Sequence, residues 1–280
     1  MDFGTHTVGC IGCGTMGGAI IKALSKSYPA EQLFVTAKNK QHAQTFAQNT
    51  KVQALEQNID LANKCDFIFL GVKPAYVKDV LAEIKDSFCQ KKILISMAAG
   101  VTIKAIQEEL DRLFAQNTAL VMPHIFRIMP NLPATIGEAM TALCASEDST
   151  VEEQNIVIKL LSTSGKVEPI PEHLMDGVTA VSGSGPAYAF LFIEALADAA
   201  VRFGLPRKQA YVYAAQTLKG AACMALEDER SISELKDAVC SPAGTTIEAV
   251  ATLERLGFRS SIIEAATSAY NKSLELKHKS

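Results

Sequence analysis

The chain lacks a surplus of charge of either sign. Its 280 residues carry 27 Lys and Arg against 30 Asp and Glu, a formal charge of -3. With a pI near 6.0 there is no basic footprint for nucleic acid or an anionic membrane. The five histidines are scattered. None stands at helical metal spacing with another His or a carboxylate pair, so no metal site is expected. The opening MDFGTHTVGC has no basic region followed by a long apolar run, so no secretory leader is expected. Without one, seven cysteines argue against a disulfide framework. The longest apolar stretch, AYAFLFIEALADAAV, is interrupted by Glu194 and Asp198. It is too short and too charged for a bilayer span and reads as a buried core helix. Internal repeats, low-complexity tracts and long linkers are missing. The expected class is a soluble, cytoplasmic globular protein of about two domains, and 48% hydrophobic residues allow a sizeable core.

The first half alternates in period. Short apolar runs at 6–11, 33–36, 66–72, 93–96, 125–129 and 139–145 read as strands. Helical text falls at 15–27 and 39–49; Pro74 opens another helix at its first turn, and Thr102 caps one at 103–113. Strands alternating with helices imply parallel βαβ units, and near-continuous apolar strands imply a sheet covered on both faces. After KVEPIPEHL no strand of comparable quality appears. Helices are expected from 186 to about 203, 207 to about 226, 231 to 240, 245 to about 256, and 260 to 276. The fold class is therefore α/β over 1–172 followed by an all-helical domain over 173–280. The boundary lies where prolines and the change in period coincide.

Two patterns overlap in VGCIGCGTMGGAI: Cys10-x-x-Cys13 and Gly12-x-Gly14-x-x-Gly17. The glycines follow a strand and open a helix, the context in which such a loop cradles a pyrophosphate on free N–H groups. A redox thiol belongs at an exposed helix N-terminus, whereas alternation with Val8 buries Cys10. A zinc site would need two further ligands, and no second pair exists. The end of the second strand reads VTAKNK. NAD binders carry an acid there for the ribose 2′-hydroxyl. Thr36, Lys38, Asn39 and Lys40 suit a 2′-phosphate instead, so NADP is the expected dinucleotide, NADPH being preferred over NADH.

IGCGTMGGAI, GVKPAYV, SMAAGVT, RIMPNLP, VSGSGPAYAF and LKDAVCSPAGTTIEAV occur in this order along nearly the whole chain. Together they resemble the pyrroline-5-carboxylate reductase family. The resemblance implies a Rossmann domain, a helical domain forming an intertwined homodimer, and in many members assembly to decamers. It implies hydride transfer from NAD(P)H to the imine carbon of 1-pyrroline-5-carboxylate, giving L-proline, with neither nucleic acid nor membrane as partner. Carried over, Ile11, Gly12, Cys13, Gly14, Thr15 and Met16 would wrap the pyrophosphate. Thr36, Lys38 and Asn58 would lie at the adenosine end, and Val72, Lys73, Pro74, Ala98 and Ala99 along the nicotinamide half. Ser241, Gly244, Thr245 and Thr246 would hold the substrate, with Glu172 near the ring nitrogen. Three positions depart from the pattern: Ala243 for glycine, Leu132 for threonine, Ala238 for asparagine in some members. The segment FAQNTALVMPH looks longer than usual.

The chemistry is consistent with these residues. A carbonyl reductase needs a positioned proton donor, His or a Tyr-x-x-x-Lys pair, and no Tyr here has Lys four residues on. An imine nitrogen is basic enough to be protonated or hydrogen-bonded beforehand, so the carbon is already electrophilic; a hydroxyl donor at that nitrogen suffices, and Thr246 is the candidate catalytic residue. Lys73 could instead serve a hydroxyacid dehydrogenase as base, and a non-enzymatic NADP-binding sensor would turn nothing over; both readings stay open on sequence alone. His42 reads as a helix-surface residue.

Overall fold

The computed structural model describes residues 6–277. The first five residues of the segment read as lacking a leader, and His278, lie outside them. By packing, the chain forms two compact units. One runs to Gly183 and takes up the chain again from Ala269; the other is Ser184–Ser268.

The first unit is an eight-stranded sheet of order β3-β2-β1-β4-β5-β6-β7-β8. The strands are β1 (Val8–Ile11), β2 (Leu33–Thr36), β3 (Gln53–Ala54), β4 (Phe67–Leu70), β5 (Ile93–Ser96), β6 (His124–Met129), β7 (Ala139–Ala145) and β8 (Gly165–Pro169). Pairing is parallel except between β6 and β7, where Phe126 faces Ala145 in an antiparallel ladder. That pair departs from the all-parallel expectation because only the short turn around Leu132–Ile136 joins the two strands, too little chain for a parallel crossover.

Both sheet faces are covered, as the apolar strands required. Ile11, Ile68, Leu70, Leu94 and Ile125 meet Leu61, Leu81 and Ile106 on one side. Their neighbours Cys10, Phe67, Phe69, Ile95 and Phe126 meet Ile20, Leu24 and Leu160 on the other. The first face is lined by α3 (Asn58–Lys64), α4 (Val77–Ile84) and α5 (Ile103–Phe114), the second by α1 (Thr15–Leu24), α2 (Lys40–Thr50) and α6 (Val151–Leu161). Each fully buried side chain of this size stabilises the fold by about 1.5–3 kcal/mol, and truncating Phe69 to Ala would cost about 3–5 kcal/mol. Thr102 caps α5 as expected, accepting from the Ala105 N–H at 3.1 Å. The long segment after α5 is stitched to the body by Val121 N–H donating to Phe88 O at 2.6 Å and by the Phe88–Phe114 ring pair.

The chain leaves this unit through α7 (Met175–Val178) and a π-helical turn, Thr179–Gly183. Asn131 Nδ2 donates to Ser182 O at 3.2 Å, and Asn131 Oδ1 accepts from Met140 N–H. One amide thus ties the end of β6 to the start of β7 and to the turn. The second unit holds α8 (Gly185–Arg202), α9 (Arg207–Glu227), α10 (Ile232–Val239), α11 (Thr245–Arg255) and most of α12 (Phe258–Lys277). The five expected helices are all present. α8 and α9 pack through Ala197, Ala210 and Ala214. The sequence reading of α8 as a buried core helix is corrected here: Ala197 is its one buried residue among those described. Phe190 and Leu191 are 59% and 68% exposed, because the small residues line the hairpin seam and the large ones point away. The end of α12 returns to the first unit, where Ser273 Oγ donates to the buried Asp176 carboxylate at 2.7 Å.

One polar cluster lends itself to titration. Glu153 closes a capping box with Thr150 at the start of α6, accepts from His124 Nδ1 at 2.6 Å and pairs with Lys91 at 3.0 Å. Burial alone would raise its pKa, but these donors outweigh it and hold the carboxyl down at about 2. A depressed folded-state pKa contributes stability above the unfolded value of 4.5, which is lost as pH falls towards 2. Glu153→Gln is therefore expected to destabilise the protein by about 1–2 kcal/mol at pH 7. In thermal melts across a pH series the gap from wild type should close between about pH 4.5 and 2; a gap independent of pH would refute the assignment.

Candidate active site

The first site is built at the C-terminal end of β1. Gly71 N–H donates to Ile11 O at 2.8 Å, and Gly12 N–H to Thr36 O at 3.0 Å, so the ends of β1, β2 and β4 converge there. Gly12 turns the chain with φ +96°, a conformation that L side chains rarely adopt. At Gly17 a Cβ would collide with the Gly12 carbonyl oxygen and would stand 2.7 Å from Cys10 Sγ. Gly14 differs: a Cβ there would meet nothing within 4 Å, and the residue is exposed. The chain itself has no steric need for glycine at that position. Gly14 is also the N-cap of α1, with no side-chain cap and no acid in the first turn. Open space over uncapped N–H groups is what a pyrophosphate requires, so the loop fits a dinucleotide.

At the adenosine end expected from the sequence, Thr36 Oγ1 donates to Asn58 Oδ1 at 2.7 Å, and Asn58 Nδ2 donates to Glu83 Oε2 at 2.5 Å. Lys40 pairs with Glu56 at 3.0 Å. Lys38 Nζ lies over the Tyr76 ring, 5.4 Å from its centroid. Val72, Lys73 and Pro74 follow β4, and Lys73 O accepts from Tyr76 N–H at 2.9 Å. Ala98 and Ala99 follow β5, Ala98 buried and Ala99 exposed. The expected cofactor residues thus sit on the turns after β1, β2, β4 and β5 and at the start of α3. Sequence reasoning missed Glu83, Tyr76 and a contact of His42. His42 is exposed on the surface of α2, as the sequence indicated, and it also bonds through Nε2 to Cys13 O at 3.0 Å, bracing the glycine loop from the first turn of α2. Its spacing from the loop carried no signal of this.

Glu172 starts a 3₁₀ turn. Its Oε1 accepts from the buried Arg127 Nη1 at 3.0 Å and from Ile103 N–H at 2.8 Å. Both named bonds use Oε1.

The second cluster belongs to the helical unit. Ser241, Gly244, Thr245 and Thr246 form the lead into α11, with Gly244 N–H donating to Ser241 O at 3.0 Å. A Cβ on Gly244 would overlap Ser241 Oγ. Gly244 caps α11 with backbone alone, so the first N–H groups of Thr245 and Thr246 have no side-chain acceptor in the cap. Ala243 adopts φ +55°, the left-handed region. The resemblance had marked this position as a departure from glycine, and the backbone now shows its consequence, since the methyl strains the turn. Ala243→Gly is expected to stabilise the protein by about 0.5–1 kcal/mol, the relief of strain less the entropy glycine adds to the unfolded chain. A lower melting temperature for the variant would contradict this.

The cysteines behave as packing. Cys10 and Cys13 are 0% and 1% exposed, and burial pushes both thiols up. Cys65 and Cys144 are likewise pushed up to about 12, mainly by burial. At pH 8 iodoacetamide should label the exposed Cys89 while Cys10 and Cys13 stay unmodified until the protein unfolds. Early labelling of either would revive the thiol reading.

A doubly covered, mainly parallel sheet, a glycine loop at the end of its first strand and a helical second unit define a dinucleotide-dependent oxidoreductase. The family described as pyrroline-5-carboxylate reductase dimerisation matches residues 172–276, and one described as NADP oxidoreductase coenzyme F420-dependent matches residues 7–100. The chain is 40% identical over 271 residues to the pyrroline-5-carboxylate reductase of Escherichia coli K12, covering 96% of this chain and 97% of that one. The solved pyrroline-5-carboxylate reductase of Coxiella burnetii matches with a TM-score of 0.88 and 34% identity, over 98% of this chain and 99% of that one. The Plasmodium falciparum pyrroline carboxylate reductase, solved with NADP bound, matches with a TM-score of 0.83 and 31% identity, over 96% and 97% of the two chains. The chain belongs to the pyrroline-5-carboxylate reductase family. That membership places the reductase reading ahead of the hydroxyacid dehydrogenase and the non-enzymatic sensor.

Proposed function

We propose that the protein reduces 1-pyrroline-5-carboxylate to L-proline with NADPH, the last step of proline biosynthesis. The observation that carries the reading is the uncapped start of α11 behind the Ser241–Gly244 turn. The free N–H groups of a helix start bind a carboxylate, and this helix start carries hydroxyls at Thr245 and Thr246.

The dinucleotide supplies a hydride when bound. Ile11 to Met16 hold its pyrophosphate, Lys38 and Asn58 its adenosine end, and Val72, Lys73, Pro74, Ala98 and Ala99 its nicotinamide half. Ser241, Gly244 and Thr245 hold the substrate carboxylate. Thr246 Oγ1 donates to the imine nitrogen, which keeps the neighbouring carbon electrophilic and settles the proton where the amine forms. By its likeness to the family, Glu172 serves the ring nitrogen of the substrate; its Oε1 is held by Arg127 and Ile103. Catalysis is then chiefly orientation of two bound partners, with no demand for a strong acid.

We place the functional division at 172/173, where the dimerisation match begins, with the dinucleotide domain before it and the dimerisation and substrate domain after it; the packing units divide later, at Gly183. The run Glu172–Arg202 is long and apolar enough by composition to cross a membrane. We assign it to subunit association because α8 carries Glu194 and Asp198 within the run and belongs to the dimerisation match. Two copies form an intertwined dimer, which assembles further to a decamer, in the cytoplasm.

The reaction is tested by following NADPH oxidation at 340 nm with 1-pyrroline-5-carboxylate and identifying proline. Thr246→Val is expected to lower kcat by about 10-fold or more, at or below the low end of acid–base contributions, with the melting temperature held. An unchanged kcat in the folded variant would remove Thr246 as donor.

A further inference from the structure

The three polar residues after β2 do not have equal freedom. Asn39 Oδ1 accepts from His42 N–H at 3.1 Å and caps α2. Lys40 is 3.0 Å from Glu56. No carboxylate pairs with Lys38 among the described residues. Its ammonium rests instead on the ring of Tyr76, 5.4 Å from the centroid.

The position of that ring is informative. Tyr76 closes the 3₁₀ turn Pro74–Tyr76 after β4, whereas Lys38 follows β2. In the sheet, β2 and β4 flank β1 on its two sides. The two side chains therefore meet across the end of β1, where the glycine loop begins. Tyr76 is 46% exposed, so the ring is not there to fill the core.

We propose that Tyr76 is a specificity-determining residue: its ring holds the Lys38 ammonium where the adenosine 2′-phosphate of NADP arrives. The proposal rests on the reading of Lys38 as the phosphate partner. A lysine on a four-carbon stem samples many rotamers, and ordering it opposes binding. An aromatic face attracts the ammonium through its quadrupole and orders it in advance, which reduces the cost of binding. The ammonium keeps donors for phosphate oxygens while it lies on the ring. NAD carries no 2′-phosphate and gains nothing from this arrangement. Tyr76 thus acts on the choice between the two dinucleotides, and not on dinucleotide binding in general.

The test is calorimetric titration of the intact oligomeric protein with NADP⁺ and, separately, NAD⁺, without substrate. Wild type is compared with Tyr76→Leu, Tyr76→Phe, Lys38→Met and the Tyr76→Leu/Lys38→Met double variant. Lys38→Met is expected to weaken NADP⁺ by about 10-fold and leave NAD⁺ unchanged. Tyr76→Leu should weaken NADP⁺ by about 2–5-fold, the range of an exposed cation–π contact, again sparing NAD⁺. Tyr76→Phe, which keeps the ring, should match wild type. The double variant should be no weaker for NADP⁺ than Lys38→Met, because the ring acts through the lysine. Equal losses of NADP⁺ and NAD⁺ affinity in Tyr76→Leu would overturn the proposal and make the ring an adenine platform. Full NADP⁺ affinity in Tyr76→Leu, with the Lys38→Met loss intact, would overturn it while sparing the phosphate assignment. Full NADP⁺ affinity in Lys38→Met would overturn both, so the two failures are distinguishable.

Discussion

The constraint on which the first unit depends is the crowding around one carbonyl, that of Gly12. Gly17 and Gly71 both approach its oxygen so closely that a Cβ on either would collide with it. The consequence is geometric. α1 starts directly against the end of β1, and the turn after β4 lies against the same peptide. The uncapped N–H groups of α1 therefore open at the end of β1, where strand order reverses between β2 on one side and β4 on the other, the point at which crevices form in doubly wound folds. His42 completes the brace from the side of β2 by bonding to the next carbonyl, Cys13. A side chain at Gly17 or Gly71 would separate β1 from its neighbours and move the loop, even with every cofactor contact retained.

The second unit follows a different logic. Its internal seam is built from alanines on α8 and α9, so the helices approach closely and bury little area per residue. The larger apolar groups, Phe190, Leu191, Tyr213, Leu256 and Ile263 among them, are each more than half exposed. A helical unit with small residues inside and large apolar residues outside gains most of its burial from another copy. This agrees with the dimerisation family that covers it, and it explains why the apolar run of α8 was misread as the core of its own chain. A stripe of apolar residues says that a helix face is buried but not by which chain.

Much of the fold was legible because its signals are local. LFVT and AMTALCA became β2 and β7 residue for residue, since an apolar run bounded by turn residues leaves little choice. The five C-terminal helices were placed by glycine, proline and capping residues at their ends. Elements whose stability is tertiary were missed. β3 is two residues long and exists because Phe34 and Val35 offer it a partner. α3, with seven residues, is held by the burial of Leu61 and Ala62 more than by any helix signal in NIDLANK. The antiparallel turn from β6 to β7 depends on Asn131 bridging Met140 and Ser182, a contact between distant residues that no spacing rule encodes. At the candidate site the loop glycines and the lysine were readable from position, whereas Glu83, Tyr76 and His42 reach it from other elements.

The hydrogen bonds also refine what position alone suggested at the adenosine end. Thr36 is buried, and its one hydroxyl proton goes to Asn58 Oδ1. A hydroxyl committed in this way offers a ligand lone pairs and no donor, so it does not suit a phosphate. Asn58 accepts that proton and gives an amide hydrogen to Glu83, which fixes which way its amide faces. Thr36 and Glu83 thus act together as the frame that orients Asn58, and Asn58 is the member of the three able to present a remaining N–H outward. Donors for a phosphate must come from charged groups nearby, and Lys40 shares its charge with Glu56. Of the polar residues in VTAKNK, Lys38 is thus the one the proposed 2′-phosphate reading rests on. The same geometry gives the absence of an acid after β2 its weight in that proposal, since a carboxylate there would compete for the Lys38 ammonium.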